Sequence, residues 1–224
     1  MGDFTHAAID QLAGNFVVGC AATPAALGEA QRLRYQVFCH ERAILDGLNG
    51  SECDGFDDHS HHVIVRRRSG PMVATARVVT FRSDRPNRSF PMQLVCDPAV
   101  LADVPLETTG EISRFAISRE WRRSEAQSDT LLRLALMQGI LEVSRRLRLT
   151  HWCAAMEPSL LRLLRRTAIN FEGVGPLIEY RGWRQPAVCA IDETLQLGRR
   201  ELPAAWSYAT AQGRYHGDQT RRAA

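Results

Sequence analysis

The feature that most constrains the fold of this chain is the alternation of two apolar patterns along the sequence. One pattern has the spacing of a helix, and the other has that of a strand. Residues 128–147 carry apolar side chains at helical spacing, including Leu131 and Leu141, which is typical of a long amphipathic helix. Shorter apolar runs at 63–65 and 72–79 predict strands. Along the chain the patterns read strand, helix, strand, strand, strand, helix, strand, helix, strand, strand. This order predicts one α/β domain with a mixed central sheet and helices on both faces.

The length and its local composition suggest where this domain begins and ends. A chain of 224 residues suits a single domain. We expect a loose lead-in over residues 1–15 and the folded domain over 16–198. Residues 199–224 are polar and rich in arginine, so we expect a weakly ordered tail there.

Composition excludes several classes of protein. The net charge is only +3, and aromatic residues do not alternate with the basic ones, so no nucleic-acid partner is expected. The chain has no lysine, and all 28 basic residues are arginine. The six cysteines form no C-x-x-C pair, which favours a reducing, cytoplasmic location without disulfides. No apolar run approaches the length of a membrane span.

Charged residues at particular spacings are the strongest functional signal. Glu111 stands three residues before Arg114, at the start of a predicted strand. A glutamate and an arginine at this spacing are by themselves more typical of a surface ion pair than of an active site. The functional signal is therefore the whole set of charged residues. The further members lie upstream and are Arg34, Phe38, Asp54, Asp57 and Arg77.

This set of residue types suits acyl transfer from a thioester to an amine. Glu111 can accept the amine proton, directly or through one water. Backbone N–H groups of its strand can bind a pantetheine arm and the developing oxyanion. Asp54 and Asp57, with Arg77 and Arg114, can form an alternating-charge network that orients the site. Arg34 and Phe38 are one helical turn apart, so they can form an acceptor pocket together.

The pattern resembles the acyl-homoserine-lactone synthase family. It resembles more closely the related N-acyl amino acid synthases and the acyltransferases associated with PEP-CTERM/exosortase sorting systems. The stretches that carry this closer resemblance are residues 34–41, 56–62, 111–115, 156–164 and 175–186.

The resemblance implies a GNAT-like fold, that is, a three-layer sandwich with a mixed central sheet. It also implies a fatty acyl donor carried on acyl carrier protein, a small amine or amino-acid acceptor, and no permanently bound cofactor or metal. Glu111 would be the catalytic base, and the other members of the constellation would line or brace the site. The residues expected to bind the acyl-pantetheine arm are Ser113, Phe115, Ile117, Arg122 and Arg123.

Two departures from the family pattern refine this expectation. The signalling synthases carry a tryptophan shortly after the Phe38 position, whereas this chain has Ala43, Ile44 and Leu45 there. This difference favours an amino acid over S-adenosylmethionine as the acceptor. The glycine loop that cradles coenzyme A is also absent. Arg122 and Arg123 occupy its place and form either a phosphate contact or a solvated turn.

Two alternatives stay open at this level. The chain can still be a homoserine-lactone synthase that uses S-adenosylmethionine, or a non-catalytic, arginine-rich binding module on the same scaffold. His59, His61 and His62 also lie close together beside Asp57. Adjacent strand residues point to opposite faces, so a metal site is not expected at these histidines.

Overall fold

The protein is described by a computed structural model that covers residues 14–120 and 126–216, without the side chains of 126–128. The strands in this part are β1 Phe16–Cys20, β2 Ser60–Arg67, β3 Met72–Thr80, β4 Thr109–Ile117, β5 His151–Met156, β6 Glu172–Gly173, β7 Ile178–Glu179 and β8 Trp183–Ala190. The helices are α1 Pro24–Arg34, α2 Met92–Val95, α3 Ala126–Leu147, α4 Pro158–Arg165, α5 Ile191–Glu201 and α6 Pro203–Ala209. A π-helical segment, Tyr35–Glu41, continues α1.

One mixed sheet runs through the molecule in the order β1-β2-β3-β4-β5-β8-β6, and β7 pairs with β8. Its strand pairs are antiparallel except for β4 and β5, which are parallel. The β4–β5 ladder is short, since only residues 109–111 pair with residues 151–153. The two central strands therefore part beyond Glu111.

Helices cover both faces of the sheet because apolar side chains on β2 alternate between them. Val63 and Val65 join the core cluster built around α3, whereas Ile64 joins the cluster built around α1. Pro24 occupies the first turn of α1, and the Thr23 hydroxyl accepts a hydrogen bond from the N–H of Ala26. This is a stable N-terminal cap. The predicted mixed sheet with helices on both faces is therefore present.

The C-terminal region departs from its prediction. Residues 199–224 were expected to be weakly ordered, but α5 continues to Glu201 and α6 follows at Pro203–Ala209. Ala204 and Ala205 are buried, and Ala204 packs with Leu131 of α3. The polar composition misled the prediction because a few small apolar residues are enough to bury one face of a short helix. Residues 1–13 of the expected lead-in and residues 217–224 of the expected tail lie outside the described residues.

No helix in the described ranges is long and apolar enough to cross a membrane.

Two helical glycines give opposite predictions for stability. A Cβ at Gly139 in α3 would lie 2.3 Å from Cγ1 of Val63, whereas one at Gly28 in α1 meets only the end of the Arg32 side chain, at 3.4 Å. Gly139→Ala should therefore destabilise the protein by about 1–3 kcal/mol through overpacking. Gly28→Ala should stabilise it by about 0.5–1 kcal/mol through helix propensity. Urea denaturation of both variants measures the difference, and equal effects would contradict the close contact between α3 and the sheet.

Candidate active site

Glu111 is a buried carboxyl group at the point where the two central strands part. Its side chain is 3% exposed, and Oε2 accepts a hydrogen bond of 2.8 Å from the N–H of Met92. Burial raises the pKa of Glu111 to about 8, because the charged form loses its hydration in this position. A carboxyl group with a pKa near the working pH is suited to accept a proton from an amine.

A cavity of about 390 Å³ lies next to Glu111, in the gap between β4 and β5. Apolar side chains dominate its walls, and they include Phe38, Met92, Ile112, Phe115, Met156 and Leu160. Beyond Glu111 the edge of β4 that faces β5 has no partner in the described ladder. Backbone groups on that edge are therefore available to a bound molecule.

A β-bulge brings Arg114 into the wall of this cavity. Thr75 pairs with Ala116 and Arg77 pairs with Ser113, so β4 has one residue more than β3 over this stretch. Arg114 has φ of +52°, a left-handed conformation that is unusual for a residue other than glycine. A bulge re-aims the side chain at that point. The guanidinium of Arg114 consequently reaches loop 52–54 while the residue still lines the cavity.

Behind Arg114 lies a network of three arginines and three carboxylates. Arg34 Nε donates to Glu52 at 2.6 Å, and its Nη1 donates to Asp57 at 2.9 Å. Arg77 Nη1 donates to Asp57 at 2.7 Å and to Asp54 at 2.5 Å. Arg114 completes the network with hydrogen bonds to Glu52 at 3.0 Å and to Asp54 at 2.8 Å.

Each charge in this network has two partners of opposite sign, so the network is neutral as a whole. Arg34 and Arg77 are fully buried. Burial alone would raise the pKa of Asp57, but Arg34 and Arg77 outweigh it and lower the pKa to about 2. Buried ion pairs of this kind orient their members more than they stabilise the fold. The network therefore holds loop 52–57 against β3 and β4.

The structure separates the predicted site residues into two groups. Those that line the cavity are Phe38, Glu111, Ser113, Arg114, Phe115 and Ile117. The residues Arg34, Asp54, Asp57 and Arg77 lie in the network instead. The expected pocket made by Arg34 and Phe38 together is not formed, because Arg34 is turned into the network and Phe38 alone reaches the cavity. Arg122 and Arg123 lie outside the described residues.

Several functional contacts were not anticipated from the sequence. Glu52 is the third carboxylate of the network, and charge balance between three arginines and two predicted carboxylates was a usable signal for it. Met92 holds Glu111 through a backbone group, which no side-chain pattern reveals. Arg42, Glu157 and Arg184 meet at the cavity wall from distant parts of the chain.

His62 belongs to the surroundings of the network. Its Nε2 lies 3.8 Å from Oδ1 of Asp57, and burial lowers its pKa to about 4. Across residues 14–120 and 126–216, no three His, Cys, Asp or Glu side chains are placed to hold a metal ion.

Removing one charge from the network should lower the stability of the folded protein. In Glu52→Gln both Arg34 and Arg114 lose a charged partner, so we expect a loss of about 3–5 kcal/mol in the free energy of unfolding. The matched control is Asp84→Asn, which breaks the exposed Arg82–Asp84 pair and should change stability by less than about 1 kcal/mol. Chemical denaturation of both variants is the measurement. Similar small losses in the two variants would contradict the role assigned to Glu52.

The raised pKa of Glu111 predicts a pH-dependent cost to stability. The pKa is about 8 in the folded state against an ordinary value of 4.5, so the folded protein holds a proton that the unfolded chain releases. The wild type should lose up to roughly 1.4 kcal/mol of stability per pH unit between these values. Glu111→Gln lacks this loss, so its advantage in melting temperature over the wild type should grow from pH 5 to pH 8. A constant difference across that range would contradict a protonated Glu111.

Comparisons with known proteins agree on the fold. Residues 33–132 match the family model of the acetyltransferase (GNAT) domain. No curated protein sequence matches the chain.

Among solved structures, the AHL synthase LasI is 18% identical with a TM-score of 0.61, over 78% of this chain and 89% of that one. The CoA-dependent acyl-homoserine lactone synthase BjaI, with MTA, is 20% identical with a TM-score of 0.60, over 88% and 99%. FeeM, an N-acyl amino acid synthase from uncultured soil microbes, is 12% identical with a TM-score of 0.55, over 81% and 93%. The chain has the GNAT-like fold that its motifs predicted, with an acetyltransferase domain match over 33–132.

Proposed function

We propose that this protein is an N-acyltransferase that moves a fatty acyl group from a carrier-bound thioester to the amine of an amino acid. One observation carries the proposal. Glu111, a buried carboxyl group with a pKa of about 8, stands beside an apolar cavity where β4 leaves β5.

The cavity provides separate places for the two parts of an acyl thioester. Its apolar wall, which includes Phe38, Phe115 and Leu160, suits a hydrocarbon chain. The free edge of β4 beyond Glu111 offers backbone hydrogen-bonding groups to the amides of a pantetheine arm and to the thioester oxygen. Donors already in place around a developing oxyanion are a major source of rate enhancement in acyl transfer.

The reaction needs one proton acceptor, and Glu111 supplies it. The amine nitrogen forms a bond to the thioester carbon while its proton passes to the Glu111 carboxylate. The carbon–sulfur bond then breaks, and the proton leaves with the thiol. The products are an amide and the free thiol of the carrier, so no oxidant or further reactant is required.

The donor assigned here is acyl carrier protein, on the strength of the motif resemblance and of basic groups near the cavity. Arg162 and Arg165 are exposed on α4, which begins directly after the cavity residue Glu157. An acidic carrier protein is a suitable partner for such a surface. The similar protein BjaI is described as CoA-dependent, so acyl-CoA is the competing donor in any assay.

Homoserine-lactone synthesis from S-adenosylmethionine is the second candidate. The similar folds of LasI and BjaI favour it. However, Ile44 and Leu45 line the cavity in the region where the signalling synthases carry a tryptophan. We therefore retain an amino acid as the acceptor. The proposal also includes a cytoplasmic location, supported by six free cysteines, and the link to exosortase sorting systems, supported by motif resemblance alone.

Replacement of Glu111 should abolish most of the transfer. Glu111→Gln removes the base but keeps an acceptor for the Met92 N–H, so we expect a fall in kcat of about 10²–10⁴-fold. In the wild type, kcat/KM should rise with pH until Glu111 is ionised, near pH 8. Amide formation from acylated carrier protein, followed by mass spectrometry, measures both effects.

The acceptor amine also titrates, so the pH profile needs a control. Glu111→Gln keeps the titration of the amine and lacks that of Glu111, so the ratio of the wild-type profile to the profile of this variant isolates the ionisation of Glu111. Full activity of Glu111→Gln would rule out Glu111 as the base. Release of MTA from S-adenosylmethionine would favour the second candidate. Salt-sensitive binding of nucleic acid without any transfer would favour a non-catalytic binding module.

A further inference from the structure

A second charged group lies in the cavity wall, apart from the neutral network. Glu157 precedes α4 and forms an ion pair with Arg42, which follows the π-helical segment. Arg184 of β8 approaches the same carboxylate, with Nη1 and Oε1 3.2 Å apart. The antiparallel β5–β8 ladder explains this contact. Met156 pairs with Gln185, so Glu157 and Arg184 lie opposite each other one residue further along.

The charges in this part of the wall do not balance. The arginines that line the cavity are Arg42, Arg114, Arg133, Arg181 and Arg184. Arg114 is neutralised by the buried network, and Arg133 pairs with Asp129. Among the lining residues that the structure describes, Glu157 is then the carboxylate that forms ion pairs with both Arg42 and Arg184. This wall therefore carries an excess of positive charge.

Arg42 and Arg184 are partly buried, which makes their excess positive charge less favourable than it would be in water. The Arg184 side chain is 12% exposed, and that of Arg42 is 36% exposed. Burial lowers the pKa of Arg184, and the nearby charge of Arg42 lowers it further. A guanidinium in such surroundings gains from a second carboxylate, which it can bind through two parallel hydrogen bonds.

We propose that Arg42 and Arg184 form the binding site for the carboxylate of the acceptor, so that the enzyme selects amines that carry a carboxylate, such as α-amino acids. The inference rests on the proposed function, because the acceptor amine must reach Glu111 in the same cavity. It also replaces the pocket expected from Arg34. The phosphate of a pantetheine arm is the other anion that can bind here, and the kinetics distinguish the two.

The test compares an amino acid with the amine that lacks its carboxylate, for example leucine and isopentylamine, at saturating acyl donor and with every rate constant expressed per concentration of unprotonated amine. Loss of a charge-assisted contact reduces affinity by about 10–100-fold, so the wild type should prefer leucine by about that factor in kcat/KM. Arg42→Gln should remove most of this preference by raising KM for leucine. The KM for the acyl donor should stay within about twofold. Equal use of leucine and isopentylamine by the wild type would overturn the inference.

The variants are chosen to separate binding from folding. Arg184 also donates to the carbonyls of Arg181 and Trp183, so Arg42→Gln is the more informative change. Arg66→Gln is the matched control, because it breaks a similarly exposed pair with Glu29 away from the cavity, and it should keep the wild-type preference.

In Glu157→Gln the guanidiniums of Arg42 and Arg184 lose their internal partner, so the KM for leucine should fall. A raised donor KM in Arg42→Gln would instead assign the site to the pantetheine phosphate and overturn the inference.

Direct binding makes failure of the inference distinguishable from failure of the proposed function. Isothermal titration of the full chain with leucine and with isopentylamine needs no turnover. Absence of any amide product would contradict the acyltransferase function. Binding of leucine that is lost in Arg42→Gln would still support the carboxylate site. Equal binding of the two ligands would overturn it.

Discussion

The neutral network of Arg34, Arg77 and Arg114 with three carboxylates is the interaction on which the site depends. It joins α1, loop 52–57, β3 and β4 at one place in the interior. Loss of any single charge leaves a net charge in a network that is mostly buried, which is more costly than loss of a surface pair. The bulge at Arg114 is part of this arrangement, since its left-handed backbone aims the guanidinium at Glu52 and Asp54.

The strand that contributes Arg114 to the network, β4, also carries the candidate base Glu111. β4 pairs with β5 only as far as Glu111 and then diverges. Separation of the strands opens an apolar cavity and leaves a free backbone edge beside a buried carboxyl group. Glu111 thus stands where the cavity opens, and its burial there raises its pKa.

The cavity has chemically different walls, which suits a reaction between two unlike substrates. Its apolar surface matches a fatty acyl chain. Another part of the wall is charged, and there Arg42 and Arg184 share a single carboxylate, Glu157. GNAT-like folds serve many reactions, so the fold alone does not choose the acceptor. We infer that in this chain the choice falls to Arg42, which follows the π-helical segment, and to Arg184 on β8.

The sequence by itself determined the order of the main strands and helices from β1 to α4, because apolar periodicity is a local property, but it did not predict α5 or α6. It also predicted an alternating-charge network of Asp54, Asp57, Arg77 and Arg114, and these four residues do hydrogen-bond with one another. Tertiary structure decided the rest. Arg34 entered the network and left Phe38 alone in the cavity, and α6 packed on α3 in a region where a weakly ordered tail was expected. Arg42, Glu157 and Arg184 meet only because strand register and a loop bring them together across more than one hundred residues. Local sequence cannot specify such contacts, because they depend on how separate elements pack.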